Sequence, residues 1–381
     1  MQFRCSAASK VIMDQLPICQ DISHGNDEEI CEDQRVCCVK VPSELAARST
    51  VSRRKLVLHM DVNCTVLLSD SVMGMEQKAL LNYYLSSVTW GHYVQGSWKC
   101  IGDTTSFSPP CPGARTFASV FGRSTTFTEN EPGCTFRSIF NHSLSALRWQ
   151  HTPNAYLSVS NTGSNGKYFH LLLPGFFQLL TQLHQCGRDF AVIFRSFGSD
   201  LCPTLAAVHQ WALGHHPDFP HVPSIQVCLS PGKVSNSKYG VALEIESHSV
   251  SAKDGPRAAY NLLSNLTGVC GLQDSYTWWT RNGYSCHGGK PFWVDPQDPS
   301  VHHVFFDDNI RLEDEDSIVL PLVFNGPGPP RQVPTADLLG SCLIRTDLLA
   351  AIHNVNWFYE RLCEAEIQYE CYVHSLMHSS T

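Results

Sequence analysis

The feature that most constrains this chain is the stretch KLVLHMDVNCTVLLSD, from Lys55 to Asp70. Leu56 to Met60 is an apolar run that ends on Asp61. A run of this kind, apolar at successive rather than alternate positions, suits a strand buried on both faces, as in a parallel sheet. A carboxylate at the mouth of such a strand, followed closely by Asn63 and Thr65, calls for a chemical reason.

The rest of the chain supplies partners for that strand. MEQKALLNYYLSSV carries Leu80, Leu81, Tyr84, Leu85 and Val88 at helical spacing. Between about 91 and 166 the sequence is rich in Gly, Ser, Thr and Pro, yet it keeps Trp98, Phe117, Phe121, Phe136 and Trp149. Aromatic residues among loop formers predict an inserted, folded subdomain. A helix follows from about Phe176 to Cys186 and stops at Gly187; a strand from Phe190 to Phe194 ends at Arg195-Ser196. Beyond them come a helix in DLCPTLAAVHQWAL, a strand in SIQVCLS and an amphipathic helix in RAAYNLLSNLTGVC. HVFFDD reads as a strand ending in Asp307-Asp308, SIVLPLVF as another buried strand, and TDLLAAIHNVNWFYERLCEAEIQYECYVHSL as one long helix. This alternation predicts an α/β fold around a parallel sheet, where ligands sit at the carboxyl ends of the strands.

Composition excludes some functions. A net charge of −8 argues against a general nucleic-acid binder, and the basic run Arg53-Arg54-Lys55 is too short to reverse it. No segment reaches the eighteen or so apolar residues of a membrane span, and the first twenty residues lack a secretory apolar region. The 17 cysteines, an odd number without even spacing, are therefore expected to be reduced, in a cytoplasmic protein. The adjacent pair Cys37-Cys38 lacks the spacing that chelates zinc well. The neighbouring histidines His215-His216 and His302-His303 would point to opposite faces of a strand, so neither pair is a natural chelate.

Three strand ends stand out: Asp61, Ser196 and Asp307-Asp308. If their strands are parallel neighbours, the three meet at one edge of the sheet. Asp61 and the paired aspartates then offer hard oxygen ligands to magnesium, and an Asp61 oxygen is free to attack phosphorus. Ser196 is placed to hydrogen-bond a phosphoryl oxygen. Lys290, in CHGGKPFWVD, supplies the cation such a transfer needs, and Gly288 and Gly289 are expected to free its loop to approach. CHGGKPF is not a P-loop, because Pro291 stands where Ser or Thr would bind magnesium. Plainer readings exist for each residue: a strand-end turn for Asp61, a solvated loop lysine for Lys290, a helix N-cap for Asp307-Asp308.

Taken in order, DVNCT, AVIFRS, Lys290 and HVFFDD resemble the four motifs of the haloacid dehalogenase-like superfamily, across residues 56 to 310. The resemblance implies a Rossmann-like three-layer parallel sheet with an inserted cap. Its implied layout is a loosely ordered extension at 1–50, a core at 51–72 and 171–381, and a cap at 73–170. It further implies Asp61 as nucleophile and metal ligand, the Asn63 backbone carbonyl as a second metal contact, and Ser196 as phosphate binder. Lys290 would steady the nucleophile, Asp307 and Asp308 would hold Mg2+, and the substrate would be a phosphorylated small molecule or protein. The departure is Asn63, where phosphatases of this family usually carry a second aspartate. An amide cannot exchange a proton. The sequence therefore leaves two expectations open: a phosphohydrolase or phosphotransferase, or a catalytically impaired binding or regulatory protein for a phosphorylated ligand.

Overall fold

The computed structural model describes residues 54–160, 166–220, 222, 225–312 and 317–378. The expected extension at 1–50 and most of the acidic run LEDEDS lie outside the described residues. The described residues form one compact unit.

Its centre is an eight-stranded, mostly parallel sheet. In chain order the strands are β1 (Lys55–Asp61), β2 (Phe190–Ser196), β3 (Gly232–Ser237), β4 (Gly240–Ile245), β5 (His248–Val250), β6 (Gly268–Gln273), β7 (Val301–Asp307) and β8 (Leu343–Arg345). Across the sheet they run β5-β4-β3-β6-β2-β1-β7-β8. Every neighbouring pair from β3 to β8 is parallel, and only the β3-β4-β5 end is antiparallel. The chain leaves β1 for β2 on one side and later returns to place β7 on the other. The strand order thus reverses between β1 and β7, the kind of switch point where α/β sheets open a crevice at their carboxyl ends.

The apolar run of β1 is buried on both faces, as its pattern predicts. Leu56, Leu58 and Met60 enter one core with the helices Pro174–Gln185 and Leu201–Ala212. Val57 faces a second core with Ala259, Tyr260 and Leu263 of the helix Gly255–Asn265. That second face is not covered by helices alone. A small sheet of Lys290–Val294, Val319–Val323 and Arg331–Gln332 packs there, with Phe292 against Phe305 of β7. The strand expected in SIVLPLVF belongs to this small sheet, not to the central one.

The described residues between Asp61 and Phe190 are folded. The helix Gln77–Val88 buries Leu80, Leu81, Tyr84, Leu85 and Val88 together with Phe127 and Phe136, in the same core as Leu58 and Met60. Two other expectations need correction. SIQVCLS is not a strand, since only Val227 bridges to Val269, and the ladder falls instead on β6. The terminal helix is two, Leu348–His353 and Trp357–His378. Asn354 ends the first in an extended conformation, and its side-chain amide donates to Glu360 Oε2 in the first turn of the second at 2.9 Å.

Candidate active site

Asp61 ends β1 and Asp307 ends β7, side by side across the crevice. Between them stands Lys290, the first residue of its small-sheet strand. Its Nζ donates to Asp61 Oδ1 at 2.5 Å and to Asp307 Oδ2 at 2.8 Å. All three side chains are 10% exposed or less, so this is a buried ion cluster and not a surface pair. The glycines before Lys290 do not free a loop, as the sequence suggested. A side chain at Gly289 would meet the Ile318 carbonyl oxygen at 2.1 Å, so glycine there lets two backbones touch and fixes where Lys290 begins.

Asp308 adds a third carboxylate. One oxygen from each of Asp61, Asp307 and Asp308 lies within 4.8 Å of the others. Burial, reinforced by the charge of Asp307, raises the Asp61 carboxyl well above its usual range and pushes Asp308 up to about 6. Burial alone would lower the Lys290 ammonium, but Asp307 and Asp61 outweigh it and hold it above its ordinary value. One lysine therefore faces three buried carboxylates. Arg311 and Arg123 act on Asp308 from farther off, but among the described residues no arginine bonds the three carboxylates. The donor set is hard oxygen throughout, which fits a small divalent cation such as magnesium.

The loop after Asp61 folds back tightly. The Val66 and Leu67 amides both donate to the Val62 carbonyl, and Cys64 adopts the left-handed conformation at φ 60°. This brings the Thr65 hydroxyl to Asp61 Oδ2, 3.2 Å away. Cys64 itself is buried, and burial first, then the Asp308 charge, raises its thiol, so it is no nucleophile. The Asn63 amide nitrogen donates to the Ser69 carbonyl at 2.7 Å and to Asp200 Oδ2 at 3.0 Å. Asp200 is buried and also accepts from the Ser71 amide, so it clamps Asn63 to the loop. Sequence reasoning missed Asp200. Its signal is only a polar residue four positions beyond Ser196, at the mouth of a helix.

Ser196 ends β2, one residue past Arg195, the partner of Asp61 across the ladder. Its hydroxyl accepts from the Gly198 amide at 3.0 Å, and its carbonyl accepts from the Asp274 amide at 2.8 Å. Arg195 was also missed. It is buried and makes a two-pronged pair with Asp274, at 2.9 Å from Nε and 2.6 Å from Nη2. Its Nη1 reaches His59 Nδ1 and the Pro291 carbonyl, both at 3.3 Å. Of the paired histidines, His302-His303 behave as expected: His303 joins His59 at 3.1 Å on one face, and His302 stacks on Tyr369 on the other. His215-His216 follow the helix Leu201–Ala212 and lie on no strand.

The structure thus brings together Asp61, Lys290, Asp307 and Asp308, and puts Ser196 and Asn63 on the adjoining strand end and loop. No protein-family model, curated protein or solved structure matches this chain. Among the described residues no helix is long and apolar enough to cross a membrane, and the twelve described cysteines are free thiols.

Proposed function

We propose that this protein is a magnesium-dependent phosphohydrolase or phosphotransferase of the haloacid dehalogenase-like type, working through an aspartyl-phosphate at Asp61. The observation that carries the reading is the meeting of Asp61, Asp307 and Asp308 around Lys290 at the sheet's switch point.

The residues divide the work as follows. Asp61 Oδ1 is held by Lys290, which leaves Oδ2, with its longer Thr65 contact, as the freer oxygen. That oxygen attacks phosphorus as the ester P–O bond breaks, and water or an acceptor hydroxyl later takes the phosphoryl group from Asp61. Lys290 stays protonated through neutral pH and offsets the charge gathered on the phosphoryl oxygens. Ser196 offers its hydroxyl hydrogen to one of them. A magnesium ion on Asp61, Asp307 and Asp308 would neutralise the transferring group. Asn63 donates no proton, so the leaving oxygen departs as a stable anion or is protonated by water. General acid help is worth about 10²–10⁴-fold, so activated esters are the better substrates.

The lock of Asn63 on Asp200 and Ser69 favours a second reading, a binding protein that holds a phosphorylated ligand without turnover. An assay of p-nitrophenyl phosphate hydrolysis with magnesium separates the two. Asp61→Asn should lower turnover at least about a thousandfold. Activity that survives the substitution removes Asp61 as the nucleophile. Absence of turnover in the unaltered protein, with beryllium fluoride still bound in magnesium, favours the binding reading.

A further inference from the structure

Beside the acidic centre lies a group of three arginines that the reaction at Asp61 does not use. Arg123 comes from the segment between β1 and β2, Arg311 from the loop after β7, and Arg345 from the end of β8, where it is the ladder partner of Asp307. Arg123 Nη2 and Arg311 Nη2 both donate to one neutral atom, Asn309 Oδ1, at 3.3 and 3.1 Å. The Asn309 amide nitrogen donates in turn to Asp308 Oδ1 at 2.9 Å. Arg123 and Arg311 are therefore two hydrogen bonds, through one side chain, from the proposed metal ligand Asp308, and Arg345 stands beside Asp307 on the neighbouring strand.

Their surroundings hold them flat and leave donors over. Arg123 lies over the Tyr83 ring at 4.7 Å and Arg345 over the Phe107 ring at 4.0 Å. Arg345 Nη1 has a long contact to the Phe107 carbonyl at 3.4 Å, and its Nε is buried without a partner. Among the described residues none of the three forms an ion pair with a carboxylate. Like charges crowd here: burial, and then the neighbouring Arg311, pull the Arg345 guanidinium down to about 10. Arg311 Nη1 donates to the Asp308 carbonyl at 2.6 Å, so Arg311 adds charge while the stacked forks of Arg123 and Arg345 keep spare donors, an arrangement suited to an anion.

We propose that Arg123, Arg311 and Arg345 form a second anion subsite, so that the substrate is a phosphate ester carrying a further phosphate or carboxylate group. The substrate class rests on the reading of Asp61 as the phosphoryl acceptor; the subsite itself does not. One end of the molecule meets the carboxylate and lysine centre, and the other meets the guanidinium forks. The segment between β1 and β2 then takes part in selection, since it brings Arg123 and both stacking rings.

The test is calorimetric binding to the Asp61→Asn protein in magnesium, which needs no turnover. Two pairs of probes serve: 3-phosphoglycerate against glycerol 3-phosphate, and fructose 1,6-bisphosphate against fructose 6-phosphate. The subsite predicts that the doubly anionic member of at least one pair binds about tenfold or more tighter, as expected for charged hydrogen bonds. The pair that shows it distinguishes carboxylate from phosphate. Added Arg123→Gln, on an exposed residue, should erase most of that preference, and added Arg311→Gln should do the same. Equal affinities within both pairs, or a preference that both substitutions leave intact, overturn the subsite. A preference that depends on the arginines, in a protein whose unaltered form does not hydrolyse p-nitrophenyl phosphate with magnesium, upholds the subsite and removes the hydrolase reading.

Discussion

Two buried ion clusters stand next to each other at the carboxyl ends of β1 and β2, and they are built on opposite plans. Arg195 and Asp274 are matched one to one, fork to fork, with His59 and the Pro291 carbonyl taking the spare donor. Lys290 bonds both Asp61 and Asp307, and the third carboxylate, Asp308, has among the described residues no ion-pair partner of its own, only the more distant charges of Arg311 and Arg123. Both have been taken out of water, where a charge needs a partner. The first pair is complete and ties β2 to the end of β6. The second has more carboxylates than the one ammonium that bonds them, and under the proposed function a divalent cation would complete it. Balance marks the structural cluster, and imbalance marks the one poised for chemistry.

The comparison breaks most readily under the same substitution made in each cluster. Asp274→Asn leaves Arg195 buried without its counter-charge and should cost about 3–5 kcal/mol in urea unfolding, with or without magnesium. Asp308→Asn should act in the other direction. It removes a charge that burial and Asp307 disfavour, and should stabilise the metal-free protein by about 1–3 kcal/mol. If the centre binds magnesium as proposed, the unaltered protein should gain about 2.7 kcal/mol at a hundredfold excess over Kd, and Asp308→Asn should abolish that gain. If both substitutions destabilise alike, the distinction between the clusters fails.

A smaller effect sharpens it. Asn63 and Asp200 are a neutral donor and a carboxylate 3.0 Å apart. Asn63→Asp alone puts two carboxylates together and should lower stability by about 1–2 kcal/mol at neutral pH. Asp200→Asn in the same chain restores a donor and an acceptor and should recover most of the loss. Failure to recover it would show that the two positions are not coupled.

The smallest effect lies away from both clusters. His302 is buried against Ser341 and Tyr369, and burial depresses its imidazole to about 3. The unfolded chain therefore takes up a proton near pH 6.5, before the folded one does. Stability from this group is present above that pH and is lost as pH falls, by about 1.4 kcal/mol per unit. His302→Gln should flatten the urea-unfolding profile between pH 6.5 and 5 by that amount. An unchanged slope would assign the acid sensitivity to other groups.

The sequence made β1, β2 and β7 legible because a doubly buried strand leaves an apolar run with a polar stop, and such stops placed Asp61, Ser196 and Asp307-Asp308. The helix Gln77–Val88 was equally plain from its spacing. β3, β4 and β6 were not, because GKVSNS and GVCGLQ have neither a long apolar run nor clean alternation. Their strand character comes from neighbours in the ladder. Lys290 was found, but for a mistaken reason: GGK reads as a flexible loop, whereas Gly289 is a close contact between backbones. Asp200, Arg195 and the three arginines were hidden for another reason. A charged residue alone on a chain says nothing of its partner, and these partners lie far off in sequence.

The position of β1 has a consequence for synthesis. It is an interior strand, yet its two neighbours are made long after it: β2 begins at Phe190 and β7 at Val301. At roughly 5–20 residues per second on the ribosome, the wait for β7 is on the order of tens of seconds. Through that interval LVLHM is an unmatched template, open to pairing with another nascent copy or to capture by a chaperone. The carboxylate that follows it is then fully solvated, and it acquires its unusual chemistry only when the last third of the polypeptide arrives.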